Sequence, residues 1–529
     1  MKRHIPVQIE WHPDPAQAVP VYRQILEWMY GKMESGEWPA GTRLPSQREM
    51  ARHFQVNRST LNQALKPLLE AGVLQGRGSQ GTVVASTAWS LRLPVQPDWN
   101  RYMTAGYFRA NQEVVQAINT LEFDDRLVRL GTGELDPRLF PQDAFRQTLR
   151  DVADAITSLG YVEPLGMPAL RQALAGYARK RNSIVAPSSI LITSGALQGL
   201  QLISAGLLRG GATVYVEDPT YVKSLQVFQS AHLRLCGLPM DDQGLSLEAL
   251  EKHLRQSSDR GNSVLYTIPT NHNPTGRTLS RRRRIQLLEL CSRYDLPIIE
   301  DGAYEELTFD GTPPPSLKSL DPGGRVLYLG SVSKSLAPGL RIGWMIAPEP
   351  VVQRLGDVKM QIDYGASSLS QQVLARFLTS GRYEQYLDGL RCELQRRCQA
   401  ACQSLSEVFA DMADWQVPQG GFYIWLTFRS RLPMELLFRK AVSAGVLINP
   451  GDIYSSRHTQ SLRLSYAYTT PEEFRQAVSQ LAVVVRSLAA RLSVSWLWLS
   501  VRWKDERYRE AFSLAVSAKN SYTGLVASG

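Results

Sequence analysis

The chain has 529 residues, 43% of them hydrophobic and 20% charged, with a formal net charge of +10. That length exceeds one ordinary domain and suggests about three, while the globular composition excludes a disordered or fibrous chain. The five cysteines, at 236, 291, 392, 398 and 402, form no CxxC pair and no Cys/His metal spacing; neither a disulfide framework nor a metal site is expected, and a reducing cytoplasm fits.

Residues 1–15, MKRHIPVQIEWHPDP, lack an apolar signal core and read as an N-terminal tail. A small domain is expected over 16–85. Tyr22, Ile25, Leu26, Met29 and Met33 fall at helical spacing on one stripe. In LPSQREMARHF, Ser46 is placed to cap a second helix and Glu49 to reach back as in a capping box. After a short QVN break, RSTLNQALKPLLEAG carries Leu61, Ala64, Leu65, Leu68 and Leu69 on one face, with Gly72 at its end. VLQGRGSQGTVV then reads as two short strands around a glycine-rich turn.

Two helices around a tight break followed by a hairpin are the layout of a winged helix-turn-helix. From Thr42 to Val84 there are six Lys or Arg against two Asp or Glu, a balance suited to double-stranded DNA; a solvated basic surface is the plain alternative. Arg58, Ser59, Thr60 and Asn62 open the second helix of the pair, where side chains and free N–H groups meet phosphates and base edges. Arg77, at the hairpin tip, can reach a neighbouring phosphate or the minor groove. The motifs LPSQREMA, RST and GSQGT make residues 20–85 similar to the GntR-type winged helix. That resemblance implies DNA contacts from Ser46, Arg48, Arg58, Ser59, Thr60, Arg77 and Gly78. Pro67 departs from it and is expected to kink the helix beyond its base-reading end.

Residues 86–125 contain two early prolines and no clean periodicity, and read as a linker that turns helical near Glu113 to Thr120. Over 126–490 the texture becomes that of an α/β domain. The runs ILIT (190–193), TVYVED (213–218), SVLYTIP (263–269), LPIIED (296–301) and RVLYLGS (325–331) alternate with helical stretches, the pattern of a mostly parallel sheet covered on both faces. Ligands in such sheets sit at the carboxyl ends of the strands. Just past those ends stand Gly195, Ala196 and Leu197; Tyr221; Asn273; Asp301 and Tyr304; and Ser331, Lys334 and Arg341. Cys398 and Cys402, one helical turn apart, read as small core residues.

In this order, GYVEPLGMPALRQAL, TNHNPTG, EDGAY, SVSK and SLRLSYA make residues 130–488 resemble the fold type I aminotransferases, which hold pyridoxal 5'-phosphate (PLP). The resemblance implies that Lys334 forms the Schiff base and that Asp301 pairs with the pyridine nitrogen. It gives Asn273 and Tyr304 to the ring oxygen and Tyr221 to the ring face. The amides of 195–197, with Ser331 and Arg341, fall to the phosphate, and Arg463 to a substrate carboxylate. Ala196 and Leu197 stand where many relatives carry Ser or Thr and then Gln, so side-chain donors are lost at the phosphate and weaker cofactor binding is expected.

A winged helix ahead of an aminotransferase-like module resembles the MocR group of bacterial regulators. This implies a transcriptional regulator sensing an amine, an amino acid or PLP itself, and a head-to-tail homodimer. An active aminotransferase that keeps a DNA-binding module is the alternative. Arg486 and Arg491 interrupt the apolar stretch 481–501, so no membrane span is expected. Residues 491–529 form a C-terminal extension with no assignment.

Overall fold

The computed structural model describes residues 7, 9–76, 82–85, 113–181, 183–221, 227–256 and 261–502, the last twelve of these by their backbone alone. The chain divides into two compact units, Met1–Gly106 and Tyr107–Gly529.

In the first unit, α1 (Val21–Glu34) buries Ile25, Met29 and Met33, the centre of the expected stripe. It also buries Gln24, whose amide bonds Asp14 and the Val19 carbonyl and so ties the preceding residues down. Part of the expected tail belongs to this core. Ile9 is buried and Trp11 stacks on Trp28 at 5.3 Å, because a short loop can hide that aromatic surface against α1.

Helix α2 (Gln47–His53) begins with the capping box read from the sequence. Ser46 Oγ accepts from the Glu49 N–H at 3.2 Å and the Glu49 carboxylate accepts from the Ser46 N–H at 2.8 Å. Helix α3 (Arg58–Glu70) buries Leu61, Ala64, Leu65 and Leu68, whereas Leu69 is 38% exposed; one step past Leu68 turns a side chain about 100° out of the stripe. The helix runs through Pro67 to Glu70, and Gly72 follows at φ +68°, a left-handed turn that ends it. Strands β1 (Leu74–Gly76) and β2 (Thr82–Val84) pair antiparallel with Leu74 opposite Val84.

The second unit opens with α4 (Glu113–Leu121), the helix expected inside the linker. Val115 and Ile118 are buried in this unit's main core, so the helix is part of the unit. Strand β3 is Val128–Arg129. The large sheet is built from β4 (Ile190–Thr193), β5 (Thr213–Asp218), β6 (Arg234–Asp241), β7 (Gly244–Leu245), β8 (Ser263–Thr267), β9 (Ile298–Asp301), β10 (Val326–Ser331) and β11 (Gly343–Ile346), in the order β4-β11-β10-β9-β8-β5-β6-β7. All five expected runs are present, and β10, β9, β8, β5 and β6 are parallel neighbours.

The expected runs omit β6, β7 and β11; β11 lies antiparallel between β10 and β4. Its sequence GWMI is wholly buried, and a fully buried four-residue run carries no alternation to reveal it. A second sheet joins β12 (Ala413–Asp414), β13 (Tyr423–Phe428), β15 (Asn449–Pro450) and β16 (Ser461–Ser465) in the order β12-β13-β16-β15, while β14 (Val446–Leu447) pairs parallel with β3. Long helices pack around both sheets, among them α5 (Ala196–Gly206), α6 (Glu349–Met360), α7 (Arg382–Phe409) and α8 (Pro471–Arg502). Helix α8 carries the backbone twelve residues into the unassigned C-terminal extension. Cys398 is buried and Cys402 half-buried on α7, as core residues. Among the described residues no helix is long and apolar enough to cross a membrane, and no His, Cys, Asp and Glu cluster suits a metal ion.

Candidate cofactor site and nucleic-acid face

In the first unit, Arg48, Arg58, Ser59 and Asn62 are exposed and Thr60 is half-buried. Asn57 caps α3, its Oδ1 accepting from the Thr60 N–H at 2.8 Å and from the Ser59 hydroxyl at 2.7 Å. That cap fixes the start of α3; the sequence reading places Asn57 in the break before the helix, although an Asn before a periodic run is a cap signal. Ser46 is exposed, with its hydroxyl engaged in the capping box. Arg77 and Gly78 lie outside the described residues.

In the second unit, residues from several strand ends lie close together. Lys334, just past β10, donates from Nζ to the Gly133 carbonyl at 2.7 Å. Arg463, in the middle of β16, donates from Nη2 to the Gly131 carbonyl at 2.6 Å and from Nη1 to Asn273 Oδ1 at 3.0 Å. The two cations thus sit on one short backbone segment. A Cβ built on Gly133 would lie 3.8 Å from Arg463 Nη2, 3.9 Å from Lys334 Nζ and 3.0 Å from the Tyr423 hydroxyl, so glycine leaves the space between them open.

Arg463 is 4% exposed, and its guanidinium carbon lies 4.3 Å from the Tyr423 ring centroid and 4.6 Å from that of Tyr454. Rings on either side hold a desolvated cation by cation–π attraction. Its Nε–H is buried without a partner among the described residues, a donor free for a ligand oxygen.

Asn273 donates from Nδ2 to the Tyr304 hydroxyl at 3.2 Å, and Tyr304 and Tyr423 share a 3.0 Å hydroxyl contact. Tyr221 stands near enough to interact electrostatically with Tyr304, Tyr454 and Arg463. Asp301 ends β9, with Oδ2 accepting from Tyr266 at 2.8 Å and Oδ1 from the Ala303 N–H at 3.0 Å. Desolvation pushes Asp301 above the ordinary carboxylate range, against the pull of those two bonds and of the Lys334 charge. No ion pair compensates Asp301 among the described residues, so it favours a cationic partner.

At the other side, Ser331 closes β10 opposite Gly343 of β11. A Cβ on Gly343 would lie 2.7 Å from the Ala196 nitrogen, and one on Gly195 would lie 2.7 Å from Arg341 Nη2. These contacts bring the first-turn amides of α5, Ser331 and Arg341 together as a cup for an anion. First-turn amides have no intrahelical partner and attract anions. Leu197 turns its side chain away, 51% exposed, and offers only its backbone. Amine, unpaired carboxylate and anion cup match the aldehyde, pyridine nitrogen and phosphate of PLP.

Sequence reasoning missed Tyr266, Tyr423, Tyr454 and the 131–133 segment. Tyr266 was accessible in principle, since β8 and β9 are parallel neighbours and it lies one strand from Asp301. The others come from distant loops and the second sheet.

Residues 125–481 match the family "Aminotransferase class I and II", and residues 21–84 match "Bacterial regulatory proteins, gntR family". The chain belongs to the class I and II aminotransferase family, in the MocR arrangement. Relatives of this MocR-type chain include the uncharacterized HTH-type transcriptional regulator YdfD of Bacillus subtilis, 45% identical over 89% of this chain and 98% of the relative. The HTH-type transcriptional regulator NorG of Staphylococcus aureus is 32% identical over 84% of this chain and 100% of the relative. Among solved structures, the kynurenine aminotransferase of Pyrococcus horikoshii, in complex with PMP, superposes with a TM-score of 0.70 at 32% identity, covering 74% of the MocR-type chain and 98% of the enzyme. The multiple substrate aminotransferase of Thermococcus profundus gives 0.70 at 29% identity, covering 75% and 100%.

Proposed function

We propose that the protein is a DNA-binding transcriptional regulator that holds PLP on Lys334 and senses an amino compound, or PLP itself, at the same site. The observation that carries this reading is the convergence of Lys334 and Arg463 on the 131–133 backbone, in a chain that also bears an exposed, capped recognition helix. The comparisons favour a regulator over a stand-alone enzyme. Relatives matched over 98–100% of their own length are named as HTH-type regulators, whereas the aminotransferase structures cover only 74–75% of this chain.

When bound, PLP supplies an electrophilic carbon and an electron-withdrawing ring. The chain's own groups do the rest. Lys334 Nζ provides the amine that attaches the aldehyde, and Asp301 holds the proton on the pyridine nitrogen. Asn273 and Tyr304 hydrogen-bond the ring oxygen, and Tyr221 covers the ring face. The amides of 195–197, Ser331 and Arg341 take the phosphate, and Arg463 orients an effector carboxylate.

On DNA, Arg58, Ser59, Thr60 and Asn62 read the major groove, with Ser46, Arg48, Arg77 and Gly78 on the backbone. A head-to-tail homodimer follows from the MocR resemblance, and the second unit offers such a partner exposed aromatic surface: Tyr161 is 89% exposed and packs against Tyr364, itself 59% exposed, at 5.6 Å between ring centroids. The cytoplasm is the compartment such a regulator needs.

The experiment is an operator shift assay with and without PLP and a panel of amines and amino acids. A change in operator affinity on adding PLP or one of the amines supports the reading, and no change across the whole panel overturns the sensing role. In the same assay Arg48→Ala is expected to weaken binding and to lower the slope of log affinity against log salt by about 1, the signature of one lost phosphate contact.

A further inference from the structure

Asp363, just beyond α6, has donors on both carboxylate oxygens. Oδ1 accepts from Lys359 Nζ at 2.7 Å and from the Gly365 N–H at 2.9 Å. Oδ2 accepts from Gln198 Nε2 at 2.5 Å and from the Ser194 hydroxyl at 3.3 Å. The other end of Gln198 accepts the Ser194 N–H at 2.8 Å, and the Ser194 carbonyl accepts from Arg341 Nη2 at 3.1 Å. A continuous chain of hydrogen bonds therefore runs from Lys359 to Arg341. It meets at Ser194, the residue immediately before the Gly195 turn.

This arrangement bears on the anion cup in front of it. With Ala196 and Leu197 offering no side-chain donors, a phosphate depends on backbone amides, Ser331 and Arg341, and amides bind an anion only where the turn presenting them is held still. A bare carboxylate behind the cup would repel a phosphate. Lys359, 1% exposed, neutralises it. Desolvation pushes Asp363 up, but the bonds from Lys359, Gln198 and Gly365 outweigh it and keep the group ionised.

We propose that Lys359, Asp363 and Gln198 form a positioning relay for the phosphate cup, fixing the Ser194–Gly195 turn and Arg341 for a phosphate monoester in place of the donors absent at 196 and 197. The inference rests on the PLP reading above and adds three residues to it. Aspartate is required because all four partners are donors. An asparagine must direct its own N–H2 at one pair of them.

The test is a titration of the full-length protein with PLP and with pyridoxal, which lacks the phosphate, followed by absorbance and borohydride trapping. Asp363→Asn is expected to weaken PLP uptake about tenfold while leaving pyridoxal uptake unchanged, so that the preference for PLP falls by the same factor. Gln198→Met, which keeps side-chain length on a half-buried position, is expected to do the same and serves where Asp363→Asn fails to fold. Equal losses for both aldehydes, or no loss for either, overturn the relay. A wild-type protein that takes up neither aldehyde overturns the cofactor reading and the relay with it, whereas wild-type uptake with unselective variants overturns the relay alone.

Discussion

Replacing Lys334 by alanine is expected to abolish covalent capture of PLP: no visible absorbance band on mixing and no borohydride-fixed label on the peptide containing residue 334. The effect is all or none because the chemistry needs an amine at that point. The described neighbours offer no substitute. Asp301, Asn273 and Tyr304 contribute a carboxylate, an amide and a phenol, and Arg463 is a guanidinium held by Gly131 and Asn273. The fold should barely register the change, since Lys334 Nζ makes a single hydrogen bond, to the Gly133 carbonyl, worth about 1 kcal/mol. A thermal unfolding curve close to wild type, together with lost labelling, separates chemistry from damage. The cup of 195–197, Ser331 and Arg341 survives the substitution, so residual non-covalent binding that inorganic phosphate displaces is also expected. Label retained at wild-type yield would place the reactive amine elsewhere and remove the basis of the site.

The residues at strand ends were legible because each is local: a strand, then a turn, then a side chain that the turn must present. Lys334 after RVLYLGS and Asp301 after LPIIE are of this kind, and so is the Ser46–Glu49 box, whose two hydrogen bonds span three residues. What escaped notice depends on long-range closure. Tyr423 and Tyr454 enclose Arg463 from the second sheet and the loop before β16, and nothing in their own neighbourhoods distinguishes them from core aromatics. The same holds for Asp363, which touches Ser194 and Gln198 across more than 160 positions. Strand β11 was lost for a different reason. It is short and buried on all sides, and hydrophobic periodicity vanishes where both faces are covered. The mostly parallel sheet was therefore read in β4, β5, β8, β9 and β10, and missed in β11 and in β6 and β7 at the opposite edge.

Arg463→Met is expected to erase discrimination between an amino acid and the amine left by its decarboxylation. In the wild-type protein the carboxylate would meet a guanidinium with little access to water, a buried Nε–H without another partner, and two tyrosine rings that fix its plane. A charge-assisted bond of this kind contributes about 1.5–3 kcal/mol, or roughly tenfold to a hundredfold in affinity. The substitution also frees the Gly131 carbonyl and Asn273 Oδ1 and removes the desolvation cost of the arginine itself; those effects oppose each other, and a stability loss of about 1–3 kcal/mol is the expected balance. Because such a loss weakens every ligand alike, the informative quantity is the ratio of responses to the amino acid and to its decarboxylated partner, measured through operator binding. A ratio that collapses toward unity in the variant assigns carboxylate recognition to Arg463. A ratio unchanged from wild type means that the guanidinium only ties β16 to the Gly131 segment, and effector selectivity must then come from the tyrosines around Lys334.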